Sequence, residues 1–217
     1  MTEAELDELI LDCPILYHMA ERGSWPSIQR HGLLSTSALL DLYGVHGAER
    51  DAIESRRRPE GVRLKRRDLG GILLRDQKPM DDAGLRKCLL DGLSPEDWYR
   101  LLNNKVFLWL TRARLHRLLD ARPYRDREHD VLELDTAPLV AAYRQAITFS
   151  PINSGTTRPF PASRGLTTFL PISDYPYGHW RSKRPKGERV VELAVNRGVP
   201  EIARFVRRVT TMRGGGM

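Results

Sequence analysis

The sequence predicts an α+β fold, a split or bent mixed β-sheet core with flanking helices. Two patterns carry that expectation. Short amphipathic helical segments alternate with short apolar runs over most of the chain, and the final stretch offers strands with no helix between them. Hydrophobic residues make up 41% and charged residues 29%, a balance that can fold rather than stay disordered. At 217 residues the chain suits one domain, 1–217, with a proper core. No apolar run approaches the roughly 18 residues a membrane span needs. The acidic opening MTEAELDELILD is unlike a signal peptide, so a cytoplasmic protein with no membrane partner is expected. Cys13 and Cys88 match no metal or redox spacing and are expected to be buried thiols.

The elements follow in order. Thr2 caps a helix over 2–12 with Glu5 three residues on, and Leu6, Leu9 and Ile10 share one face. Residues 16–19 form a short strand, and a helix enters through Trp25-Pro26 and stops at Gly32. A further helix spans 35–43 and ends at Gly44. Residues 48–58 are helical up to Pro59, 62–66 (VRLKR) form a strand, and Gly70-Gly71 marks a turn. Residues 76–104 read as a helical insertion whose clearest start is Ser94-Pro95-Glu96-Asp97. KVFLWL, 105–110, is a strand buried on both faces, and Thr111 caps the next helix. Strands at 130–134 and 146–150 flank a helix over 137–143. Residues 151–186, dense in Gly, Pro, Ser and Thr, are the most loop-like part. RVVELAV, 189–195, and a basic strand over 204–212 close the fold, and the Gly-rich tail from Arg213 is expected to fray.

A net charge of +7 and a pI of about 9.7 favour an anionic partner, or else a merely solvated basic surface. The run from Arg50 through Arg56, Arg57, Arg58, Arg63, Lys65, Arg66 and Arg67 is suited to phosphate binding. The 151–186 stretch interleaves Phe160, Phe169, Tyr175, Tyr177 and Trp180 with Arg164 and other cations, a composition that stacks bases and pairs phosphates. His18, His31, His46, His116, His129 and His179 lack ligand spacing, so no metal site is expected. No Gly-rich phosphate loop, H-E-x-x-H or nucleophile elbow is present. What remains is His18 at a strand end before a helix N-terminus, and Glu192, a carboxylate inside an apolar strand. A carboxylate placed there is costly unless it meets solvent, a partner or a ligand.

LYHMAERGSWPSIQRHGLL resembles the opening motif of the DarT-type DNA ADP-ribosyltransferases, whose pattern runs Tyr-His-x-Thr, an Asn four residues later, then Pro-x-Ile-x-x-x-Gly-Leu-Leu. Tyr17, His18, Pro26, Ile28, Gly32, Leu33 and Leu34 match it. IESRRRPEGV, NKVFLWLTR and RVVELAVNRGVPEIARFVRRV are similar to three further family segments in the same order. Departures are Ala20 and Ser24 in place of the family's Thr and Asn, the insertion at 76–104, and a 151–186 loop unlike the family's substrate loop.

The resemblance implies an ADP-ribosyltransferase-like fold and an NAD-dependent mono-ADP-ribosyltransferase with NAD as co-substrate. It implies a nucleic-acid base as acceptor, single-stranded DNA favoured, and a toxin or defence role with an antitoxin that removes the modification. Glu192 would hold the nicotinamide ribose, and Arg56 or Arg57 would grip the pyrophosphate or orient the acceptor. His18 would bind the adenosine ribose beside Tyr17, with Ser24 at the family's Asn position. Either Phe107 and Trp109 or Val106 and Leu108 would line the nicotinamide pocket. Arg58, Arg164, Tyr175 and Trp180 would meet the acceptor. The alternatives are a non-catalytic nucleic-acid-binding domain, or a transferase acting on protein, RNA or a small molecule.

Overall fold

The computed structural model describes residues 1–215. Helix α1 (Glu3–Asp12) opens on a capping box: Thr2 accepts the Glu5 N–H and Glu5 accepts the Thr2 N–H, satisfying two otherwise unpaired donors. Strand β1 (Ile15–Glu21) outruns the predicted strand at both ends. Helix α2 (Trp25–His31) begins through Pro26 and ends at Gly32, where φ is 91° and a Cβ would lie 2.5 Å from Pro200 Cα. That close approach lets β2 (Leu33–Leu34) pair with β10 (Gly198–Val199). Ser35 caps α3 (Thr36–Tyr43) and left-handed Gly44 closes it.

Helix α4 (Gly47–Glu54) stops short of the predicted Arg58. Pro59 disfavours helix in the residue before it, and the Arg58 guanidinium takes up a last-turn carbonyl, Ile53 O, at 2.9 Å. β3 (Val62–Arg66) is where the sequence puts it, but Gly70-Gly71 is not a turn: these residues open β4 (Gly70–Leu74). The reversal lies one step earlier, where Arg66 clasps Asp68 and accepts the Leu69 N–H on its carbonyl. The resulting hairpin is a two-stranded sheet of its own. The 76–104 insertion is α5 (Asp82–Cys88) and α6 (Pro95–Asn103), packed around buried Trp98 with Met80, Leu85 and Phe169.

β5 (Lys105–Trp109), α7 (Arg112–Leu119), β6 (Glu128–Asp135), α8 (Thr136–Tyr143) and β7 (Ile147–Ser150) follow as expected, within two residues at their ends. The 151–186 stretch is less loop-like than its composition suggests. It carries β8 (Leu170–Pro171), two 3₁₀ turns and α9 (Tyr177–Lys183), and it is pinned by buried Arg164, Tyr175 and Tyr177. β9 (Glu192–Asn196) starts three residues later than predicted, and β11 (Val206–Arg213) takes in Arg213, which was expected to fray. Of the rest of that tail, residues 216–217 lie outside the described residues.

The main sheet has seven strands in the order β11-β6-β1-β5-β9-β7-β8. Every pairing in it is antiparallel, which corrects the expected mixed sheet. A parallel neighbour needs a crossover returning the chain to the same end of the sheet, and none of these neighbours is joined that way. The sheet is nonetheless divided. β1 pairs with β6 along its whole length, yet it meets β5 through one residue pair, Tyr17 opposite Trp109. The largest apolar cluster, with Leu16, Leu108, Leu132, Phe149 and Leu193 at its centre, lies on one side of the sheet under α1 and α8. Both cysteines are buried and unpaired. No helix among the described residues is long and apolar enough to cross a membrane.

Candidate active site

Continuing the β1–β5 ladder by two residues would set Met19 opposite Phe107. Instead the strands part there, and side chains take over the freed backbone groups. The Phe107 carbonyl receives His18 Nδ1 at 2.9 Å, and the Met19 carbonyl receives Arg75 Nη1 at 2.8 Å. The opening is a cleft of about 870 Å³, in the size range of small-molecule sites. Its walls come from β1, α2, the β3–β4 hairpin, β5 and the 153–156 loop.

A carbonyl only accepts, so the His18–Phe107 bond fixes the imidazole with its proton on Nδ1 and leaves Nε2 as an acceptor. Burial, assisted by the Arg75 charge, pushes His18 down to about 4. Across the seam stands Glu192, the first residue of β9, in register with Trp109 on one side and Ser150 on the other. It lines the cleft yet is only 2% exposed. Its Oε1 accepts the Ser154 N–H at 3.1 Å, while Oε2 has no hydrogen-bond partner among the described residues. Burial raises its pKa to about 7, against the pull of Ser154, Arg114 and Arg164. A buried carboxylate with one free oxygen and a pKa near neutrality is the arrangement that acid–base or charge-stabilising chemistry needs.

The other residues singled out from sequence divide into two groups. Ser24, Phe107, Trp109 and Arg58 line the cleft with His18 and Glu192. Ser24 sits at the N-cap of α2 without spending its hydroxyl on a capping bond. Phe107 tilts against Phe169 at 5.9 Å, and Trp109 stands beside Glu192. Arg58 is buried and donates to Ile53 O, Arg75 O and Asn103 Oδ1 at 2.8–3.0 Å, with Nη2 on Thr36 Oγ1 at 3.5 Å. Its work is therefore to join α4, α6 and the end of β4, and not to meet an acceptor.

The rest are not brought to the cleft. Tyr17 packs against the Leu115 and Leu119 cluster of α7, because strand alternation turns it to the face opposite His18. Arg56 is exposed outside the cleft, and half-buried Arg57 donates to Lys78 O at 3.2 Å. Arg164 is 1% exposed and clasps three carbonyls, of Ala162, Ser154 and Thr156, at 2.8–2.9 Å. It holds the loop whose Ser154 N–H meets Glu192. Tyr175 is a core residue with its hydroxyl on Arg189 O, and Trp180 packs on the main core under Arg184. Aromatic and basic composition looks the same whether a stretch binds a ligand or builds its own interior.

Sequence reasoning missed Arg75 and Lys105, and although it singled out the 151–186 stretch it named none of residues 153–156; all of these line the cleft. Reading Gly70-Gly71 as a turn leaves no strand leading to Arg75 and so hides it. Lys105, held by Asn196 and lying over the Phe169 ring, has its pKa lowered to about 8 by burial. No group of three or more His, Cys, Asp or Glu side chains suited to a metal ion occurs among the described residues.

Residues 14–206 match a family of unknown function, DUF7002. The chain belongs to the DUF7002 family. No curated protein and no solved structure matches it. The matched span holds every DUF7002 element that walls the cleft, from β1 with His18 to β9 with Glu192. It leaves out α1 and most of β11, so the cleft lies within the part of the chain by which DUF7002 is defined.

Proposed function

We propose that the chain is an NAD-dependent mono-ADP-ribosyltransferase similar to the DarT-type enzymes, built on an ADP-ribosyltransferase-like split sheet. Its acceptor is a nucleic-acid base, single-stranded DNA being favoured. One observation carries this: Glu192, the residue that the family resemblance marks as catalytic, is a buried carboxylate with a free oxygen in the cleft where the sheet parts. The residues present fit such a co-substrate. Neutral His18 offers Nε2 to a ribose hydroxyl, Phe107 and Trp109 offer apolar faces to the nicotinamide end, and Glu192 Oε2 lacks a partner that a second ribose hydroxyl would supply.

NAD supplies the bond to be broken, between ribose C1′ and the nicotinamide nitrogen, whose electron pair leaves with neutral nicotinamide. Glu192 as a carboxylate stabilises the positive charge that develops on the ribose. As the acceptor nitrogen or oxygen bonds C1′, Glu192 takes up its proton, a transfer matched to a pKa of about 7. Burial of Glu192 strengthens both effects, since the developing charge meets it where water screens little. Arg63 and Lys65, exposed at the rim on β3 and in no ion pair among the described residues, would attract the acceptor's phosphates.

The test is mass analysis of DNA, RNA and protein incubated with NAD and the wild-type chain or Glu192→Ala. A mass gain of one ADP-ribose on a nucleic acid, lost in Glu192→Ala, is expected. If NAD is not consumed with any acceptor, the enzyme reading falls. The rim cations also favour a second reading, a nucleic-acid-binding domain without catalysis, which predicts salt-sensitive binding that is indifferent to NAD.

A further inference from the structure

Seven basic side chains line the cleft, and most have their donors committed. Arg58 gives Nε and Nη1 to two backbone carbonyls and Asn103, and Nη2 to Thr36. Arg22 pairs with Asp130, Arg127 with Glu21, and Lys105 with Asn196. Arg63 and Lys65 stand on an exposed strand at the rim. Arg75 differs from all of these. It follows directly on β4, is half-buried, and lies where the sheet opens, its Nη1 on the Met19 carbonyl next to His18. Its Nε and Nη2 have no hydrogen-bond partner among the described residues. The neighbouring acid, Asp76, is taken up by the Tyr124 hydroxyl and the Lys78 N–H and makes no ion pair with Arg75.

The guanidinium is also held in place. Its carbon lies 4.7 Å from the centroid of the Tyr124 ring, which gives the flat cation a platform and restricts its rotamers. A planar guanidinium fixed at one nitrogen, with donors left over, is suited to bidentate pairing with phosphate oxygens. If His18 takes the adenosine ribose and Glu192 the other ribose, the diphosphate between them lies in the cleft that Arg75 lines beside His18.

We propose that Arg75 is the diphosphate anchor of the cleft and the residue that makes it select nucleoside diphosphates over nucleosides. This rests on the dinucleotide reading of the same cleft, and it moves the phosphate role away from Arg56 and Arg57, which the fold keeps outside. A nucleoside reaches only the His18 side, whereas a nucleoside diphosphate reaches Arg75 as well.

The experiment is calorimetric titration of the full chain with ADP, adenosine and inorganic pyrophosphate, in wild type, Arg75→Ala, Arg75→Gln and Arg56→Ala. Wild type is expected to bind ADP about 10- to 100-fold more tightly than adenosine, the span of one to two charge-assisted hydrogen bonds. Arg75→Ala should abolish pyrophosphate binding and the ADP advantage over adenosine. Arg75→Gln, which keeps a donor for the Met19 carbonyl, should do the same while leaving adenosine unchanged, and it is the decisive variant if Arg75→Ala fails to fold or closes the cleft. Arg56→Ala should match wild type throughout.

An ADP advantage that survives in Arg75→Gln overturns the assignment. So does an equal loss of ADP and adenosine binding, which would mark Arg75 as merely structural, or a wild type that does not separate the two ligands. NAD cleavage is not read here, so the two proposals fail separately. Arg75-dependent ADP binding without any NAD turnover would sink the transferase reading alone. Glu192-dependent turnover with an Arg75-independent ADP advantage would sink only the anchor.

Discussion

Replacing Glu192 by Gln should make the protein more stable at pH 8 while removing the proposed transferase activity. The folded-state pKa is about 7, raised mainly by burial from the ordinary 4.5. A carboxyl shifted upward is easier to protonate folded than unfolded. Its protonated form therefore carries no penalty below about pH 4.5, and stability is lost as pH rises from there through 7. A shift of this size corresponds to about 3 kcal/mol lost by pH 8, at about 1.4 kcal/mol per pH unit. Gln keeps an oxygen for the Ser154 N–H but sets an amide where Oε2 has no partner, a cost of about 1 kcal/mol that does not vary with pH. The variant should then be slightly weaker than wild type near pH 4.5 and about 2 kcal/mol stronger at pH 8. Urea unfolding of both proteins from pH 4.5 to 8 reads the difference directly. Parallel profiles, with a constant gap across that range, would mean that Glu192 ionises as an ordinary surface carboxyl and would refute the account of its burial.

Arg164→Ala removes a buried guanidinium from three carbonyls and leaves all three unpaired, so a loss of about 3 kcal/mol or more is expected in the same urea assay. Arg56→Ala, on an exposed side chain, should stay within about 0.5 kcal/mol of wild type. Arg63→Glu with Lys65→Glu should weaken binding to single-stranded oligonucleotides about uniformly across sequences and reduce the logarithmic salt slope by roughly 1.4. An unchanged slope in fluorescence anisotropy would place the nucleic acid elsewhere.

Local chemistry was legible wherever a side chain acts on its own backbone. Thr2, Ser94 and Thr111 cap helices as the sequence indicates, and Gly32 and Gly44 end them. Glu192 was legible as unusual, because a lone acid in RVVELAV conflicts with its apolar surroundings, and it lies buried against the cleft. What sequence could not carry was the third dimension of the charged residues. Arg56, Arg57 and Arg58 are adjacent in sequence, yet one is exposed, one half-buried and one buried, since the chain leaves the helix at Ser55 and each side chain meets different neighbours. Arg164 and Tyr175 read as ligand-binding because aromatics there interleave with cations; the fold spends their donors on its own carbonyls. Arg75 was lost with β4, where a Gly-Gly pair starts a strand whose partner, VRLKR, was already recognised.

The parting of β1 from β5 has a consequence for how this protein can change. His18 and Arg75 are splints as well as candidate ligand contacts, since each occupies a backbone carbonyl at the break in the ladder. A chain that loses either one is left with an orphaned carbonyl, and the most direct remedy is for the two strands to zip together and shut the cleft. Drift toward an inactive form and drift toward a continuous sheet are therefore the same path. A relative that has kept its cleft should carry, at these two positions, side chains able to donate a hydrogen bond, whatever substrate it has come to use.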